Sequence, residues 1–62
     1  MDSNDVKRIR AKLKLSQSQF ADLLGVPVRT LQEWEQGRAE PSSSGAALLR
    51  LAESGRLKPP KR

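Results

Sequence analysis

Ser16-Gln17-Ser18-Gln19-Phe20-Ala21-Asp22-Leu23-Leu24-Gly25-Val26-Pro27-Val28-Arg29-Thr30-Leu31-Gln32-Glu33-Trp34-Glu35-Gln36-Gly37 decides how this chain folds. Ser16 and Gln19 stand three apart, the capping-box spacing at which each side chain satisfies a backbone N–H of the other residue. Phe20, Leu23 and Leu24 follow at i, i+3 and i+4, one face of a helix, and Gly25 supplies a left-handed stop. This predicts a helix over about residues 16–24. Gly25-Val26-Pro27 is a short turn, and Pro27, barred from a helix interior, suits a first helical turn. Leu31 and Trp34, three apart, then mark a helix over about 28–36 that Gly37 ends. With only two large apolar residues, that helix keeps most of its surface free, and the spacing makes Trp34 a core residue rather than a stacking platform. Two short helices joined so tightly cross steeply, and Ala21 supplies the small residue that close packing needs.

On the N-terminal side, Val6, Ile9 and Leu13 give one helical face and predict a first helix over about 3–14, capped by Asp2 or Asn4. On the C-terminal side, Gly37 to Gly45 reads as loop, and one of Ser42–Ser44 caps a fourth helix over about 44–53. Ala47, Leu48, Leu51 and Ala52 are its expected apolar stripe, widened by Leu49, and Gly55 its stop. Arg56 to Arg62 is basic, contains Pro59-Pro60 and lacks a hydrophobic face, so it is expected to be a disordered tail. The fold class is all-α: a compact four-helix domain over 1–55, with a basic tail over 56–62 and no internal repeat.

Two charges fall where apolar residues belong. Arg10 lies on the stripe of Val6, Ile9 and Leu13, and Glu35 lies beside Leu31 and Trp34. A lone buried charge is very costly, so the two are most economically partners in a salt bridge joining the first and third helices, since Arg readily grips a carboxylate with two hydrogen bonds. The alternative is that both sit at the edges of their stripes and are solvated.

Composition narrows the chemistry. The 62 residues include no Cys and no His, which removes disulfides, thiol nucleophiles, imidazole acid–base catalysis and Cys/His metal sites. No cofactor or metal is expected, nor an enzyme: no phosphate loop is present, and Asp22 and Glu33 lack a cleft. Twelve Lys and Arg against seven Asp and Glu leave a net charge of +5, which points to a polyanion, most simply nucleic acid. One Trp, one Phe and no Tyr argue against the stacking platforms of single-strand binders. No apolar run approaches the roughly 18 residues of a membrane span, and Met1–Asp5 is polar, without a signal-peptide pattern. The expected address is the cytoplasm or nucleoid.

The run from Ile9 to Val26 and its continuation from Val28 to Arg38 resemble the XRE (Cro/cI-like) helix-turn-helix family. The motifs carrying the likeness are Leu15-Ser16-Gln17, Phe20-Ala21, Leu23-Leu24-Gly25-Val26 and Trp34-Glu35-Gln36-Gly37-Arg38, within about residues 6–53. The flavour is that of HigA-like antitoxin DNA-binding domains, which have similar Val-Arg-Thr-Leu-Gln and Ala-Leu-Leu-Arg-Leu-Ala runs. The resemblance implies a lambda-repressor-like fold with the helix over 28–36 in the major groove of double-stranded DNA. Base reading then falls to Gln17, Val28, Arg29, Gln32 and Glu33. Arg29 suits guanine O6 and N7, Val28 a thymine methyl, Gln32 adenine, and Glu33 a cytosine amine or Arg29 itself. Ser16, at the N-terminus of its helix, together with Thr30, Gln36 and Arg38, is implied at phosphates. The Arg10–Glu35 pair matches a buried pair of phage repressors in this family. Two departures stand out: Pro27 replaces the usual Ser or Thr cap, and Gly55 to Pro60 does not suit the fifth helix by which many relatives dimerise. A homodimer would then rest on the fourth helix and Leu49, form only on DNA, or need chain beyond this sequence.

The leading reading is a sequence-specific transcriptional repressor, in the antitoxin version one that represses its own toxin–antitoxin operon. Its partners would be a palindromic operator, a second copy of the chain and a toxin protein. The alternative is a protein-interaction module that binds a toxin or a transcription partner, with DNA incidental. The bland readings are a solvated face for Lys7, Arg8, Lys12 and Lys14, plain helix-surface roles for Gln17 and Gln19, and either a solubilising end or a phosphate-following arm for the tail.

Overall fold

The computed structural model describes residues 1–57 and contains four helices, α1 (Ser3–Leu13), α2 (Gln17–Leu24), α3 (Val28–Gln36) and α4 (Ser43–Glu53), with no strand among those residues. α1 and α2 each pack against both α3 and α4. The termini follow from local chemistry. Asp2 caps α1 in a reciprocal box with Asp5, Ser16 caps α2 in a box with Gln19, and Ser42 caps α4 by accepting the Gly45 N–H. Gly25 (φ 74°) and Gly37 (φ 76°) close α2 and α3 in the left-handed conformation that a side chain resists. α1 instead closes on Lys14, a residue with a side chain held at φ 58°.

The core is built from one face of each helix. Val6 and Ile9 of α1, Phe20 and Leu24 of α2, Leu31 and Trp34 of α3, and Leu49 and Ala52 of α4 are all buried. Fully burying a Val, Leu, Ile or Phe side chain stabilises by about 1.5–3 kcal/mol, so a handful of residues carries the fold. Leu13, Leu15, Val26, Leu48 and Leu57 pack at its margins.

The buried face of α4 differs from the expected stripe. Gly45, Leu49 and Ala52, at i, i+4 and i+7, face inward, while Ala47 and Leu51 face out. Leu49 is fully enclosed and Leu51 is 40% exposed, so Leu49 is a core residue and not part of a dimer surface. The reason lies at Gly45, at the boundary between the expected loop and helix: a Cβ there would stand 3.0 Å from the outer ring carbon of Trp34. The missing side chain lets α4 settle against the indole, and that contact sets the rotation of the helix.

At the C-terminus, Arg56 donates its backbone N–H to the Leu51 carbonyl and Leu57 still packs against the core. The rest of the expected basic tail, residues 58–62, lies outside the described residues.

Candidate nucleic-acid interface

α3 is bounded by Pro27 and Gly37 and buries Leu31, Trp34 and Glu35 on its inner face, which leaves its outer surface as the candidate interface. At about 100° per residue, Val28, Gln32, Gln36, Arg29 and Glu33 fall within one arc, away from buried Leu31 and Trp34. Val28, Arg29 and Gln36 are exposed, and Gln32 and Glu33 are half-buried. Among the described residues no ion pair joins Arg29 to Glu33, so Arg29 is not held by that acid in this structure. Thr30 is half-buried on the flank, and Arg38 lies exposed beyond Gly37, its backbone N–H bonded to the Glu33 carbonyl. Pro27 caps α3 with no side-chain hydrogen bond, while its carbonyl receives the N–H groups of Thr30 and Leu31.

The N-terminus of α2 borders this arc. The Ser16 hydroxyl accepts from the Gln19 N–H at 3.1 Å, and Gln19 Oε1 accepts from the Ser16 N–H at 3.0 Å. Accepting that bond leaves the hydroxyl proton of Ser16 able to donate.

Beneath the arc lies the polar centre of the molecule. Arg10 Nε donates to Glu35 Oε2 at 2.7 Å and Arg10 Nη2 donates to Glu35 Oε1 at 3.1 Å. Arg10 Nη1 reaches the Leu15 carbonyl at 3.1 Å, so the same guanidinium also ties down the segment that leads into α2. Glu35 is the one buried charged residue among those described, 4% exposed. The hydrogen bond to Glu35 raises the Arg10 guanidinium above its ordinary range, so it stays charged. Gln17 joins from α2, donating Nε2 to Glu35 Oε1 at 3.2 Å, and its own Oε1 accepts from Gln32 Nε2 at 3.4 Å.

The structure thus brings Gln17 to Gln32 and sets both above the Arg10–Glu35 pair, an arrangement the residue pattern did not reveal. Arg8 is exposed, on the solvated face expected of it, and there its Nη1 also donates to Glu53 Oε2 at 2.8 Å, a surface ion pair that links α1 to α4. The pair lies 45 residues apart in the chain, with no local signal to announce it. Lys7, Lys12 and Lys14 are exposed.

Two short helices locked at a glycine turn, the second showing a polar outer arc, define a helix-turn-helix unit. Residues 6–54 match the family model described as helix-turn-helix, and the chain belongs to that family of DNA-binding regulators, in its XRE-type branch. It is 38% identical over 50 residues to a Vibrio cholerae protein named Antitoxin HigA-2, covering 81% of this chain and 48% of the relative. It is 36% identical over 50 residues to the Escherichia coli K12 protein named uncharacterized HTH-type transcriptional regulator YiaG, covering 81% of this chain and 52% of the relative. The chain therefore spans about half the length of the curated relatives it matches. No solved structure matches it at a significant level. Among the described residues no helix is long and apolar enough to cross a membrane.

Proposed function

We propose that this chain is a sequence-specific double-stranded DNA-binding repressor that lays α3 in the major groove. The observation that carries the reading is the outer arc of α3, where Val28, Arg29 and Gln36 are exposed and Gln32 and Glu33 half-buried. Val28, Arg29, Gln32 and Glu33 face base edges in this reading, with Gln17 at their border, and Ser16, Thr30, Gln36 and Arg38 face phosphates. The net charge of +5 supplies the attraction that draws the duplex in. Two copies on a palindromic operator would repeat the arc at one helical turn of DNA. The antitoxin version, in which the regulator represses its own operon and binds a toxin, is supported by the name of the Vibrio relative. A regulator of this kind works in the cytoplasm, on the nucleoid.

The test is selection of a preferred duplex from a random pool, followed by titrations on that site and on a scrambled duplex. With about 4 phosphate contacts, affinity should fall with salt at a log–log slope near −3 to −4. A slope of zero, or no preferred duplex, would favour the protein-interaction reading instead. Arg29→Ala should leave thermal stability unchanged, because the side chain is exposed on the face away from the core. It should lose about 1–3 kcal/mol of discrimination at one base pair of each half-site, whereas Arg38→Ala should weaken both duplexes equally. An Arg29→Ala variant that loses the same factor on both duplexes would make Arg29 a phosphate clamp.

A further inference from the structure

We propose that Glu35 and Gln17 are positioning residues that set the polarity with which Gln32 meets a base, so that the buried ion pair is also the foundation of specificity. The inference rests on the reading of α3 as the element that enters the groove. A glutamine amide has two nearly identical ends, one donating and one accepting. Unconstrained, it presents either end, and the base it favours is correspondingly ill-defined. Here the ambiguity is removed from below. Arg10 holds both oxygens of the Glu35 carboxylate. An ionised carboxylate only accepts, so the side of Gln17 that faces it at 3.2 Å must be the nitrogen. That turns the Gln17 carbonyl toward α3, and the side of Gln32 that faces it at 3.4 Å must again be the nitrogen. Charge at the centre of the fold thus dictates, through two amides, which end of Gln32 points where.

The groups of Gln32 left for DNA are then its carbonyl and one remaining N–H. Adenine in the major groove offers an N6 amino donor beside an N7 acceptor, the complement of that pair. Gln17, with one N–H on Glu35 and its carbonyl on Gln32, acts behind the reader rather than as one, and keeps a single N–H for a neighbouring phosphate. Base reading at this step belongs to Gln32.

The experiment compares the parent with Gln17→Met, Gln32→Met and the double variant, since Met preserves length and removes both polar ends. Sequencing of duplexes bound from a random pool reads the preference at each base pair, and nuclear magnetic resonance reads the order of the Gln32 side-chain amide in the free protein. Gln32→Met should abolish an adenine preference on the order of tenfold at one base pair. Gln17→Met should mobilise the Gln32 amide and cut that same preference about two- to tenfold, leaving the preference at the Arg29 base pair intact. The double variant should match Gln32→Met at that step. A Gln32 amide as ordered in Gln17→Met as in the parent overturns the proposal, as does an equal loss at the Gln32 and Arg29 steps, which is what mere loosening of the fold produces. A parent that selects a duplex while Gln17→Met changes nothing overturns the relay alone. A parent that selects no duplex overturns the groove reading and the specificity role together.

Discussion

Arg10→Met should lose about 3–5 kcal/mol of stability, toward the lower end of that range, by leaving Glu35 buried without its cation. Glu35 is 4% exposed, and among the described residues the other side chain bonded to it is the neutral amide of Gln17. The Arg10 side chain is itself 28% exposed, so water can enter the gap and moderate the loss. A domain of this size has roughly 3–9 kcal/mol in all, and even the lower figure removes a large part of it. The variant also drops the bond from Arg10 to the Leu15 carbonyl, so the entry to α2 should loosen first. Replacing Arg10 and Glu35 together by apolar residues should restore much of the loss, because no orphaned charge then remains. Urea denaturation of the three proteins measures this. An Arg10→Met midpoint equal to the parent's would mean that Glu35 is solvated in solution.

Leu49→Ala and Leu51→Ala should separate sharply, although the two residues are neighbours on one helix. Leu49 is fully buried, and removing its Cγ and two methyl carbons should cost about 2–5 kcal/mol, the range depending on how far the site collapses. Leu51, 40% exposed, should cost under about 0.5–1 kcal/mol. The same denaturation curves decide it. Equal losses would mean that α4 sits rotated from the orientation described, with Leu51 sharing the core.

These two cases mark what the amino-acid order discloses and what it withholds. The α2–turn–α3 unit is legible because every signal in it is local: the Ser16–Gln19 box, the Phe20–Leu23–Leu24 face, and a glycine at each stop. The meeting of Arg10 with Glu35 is legible for another reason, since two opposite charges each interrupt an apolar stripe. The rotation of α4 is not. Residues 46–52 are apolar at every position but Arg50, so periodicity cannot choose among faces, and the deciding contact is between Gly45 and a Trp on another helix. Gln17 shows the same limit at the site. Its position at the start of a helix is plain, but its bonds to Glu35 and Gln32 depend on how α2 and α3 are turned relative to each other. Arg8 and Glu53 depend likewise on the docking of α1 on α4.

The seat of the indole against Gly45 also gives the molecule a built-in optical gauge. Trp34 is the only Trp and there is no Tyr, so ultraviolet-excited emission comes almost wholly from one ring, 7% exposed and wedged at the junction of α3 with α4. Unfolding should shift that emission to the red as water reaches the ring. If duplex docks on the outer arc of α3, as proposed, it meets the protein away from the ring, and adding it should leave the emission wavelength nearly constant. On that reading one fluorophore would report whether the domain is intact and ignore whether it is occupied, so loss of folding and loss of binding could be told apart in the same cuvette without a label.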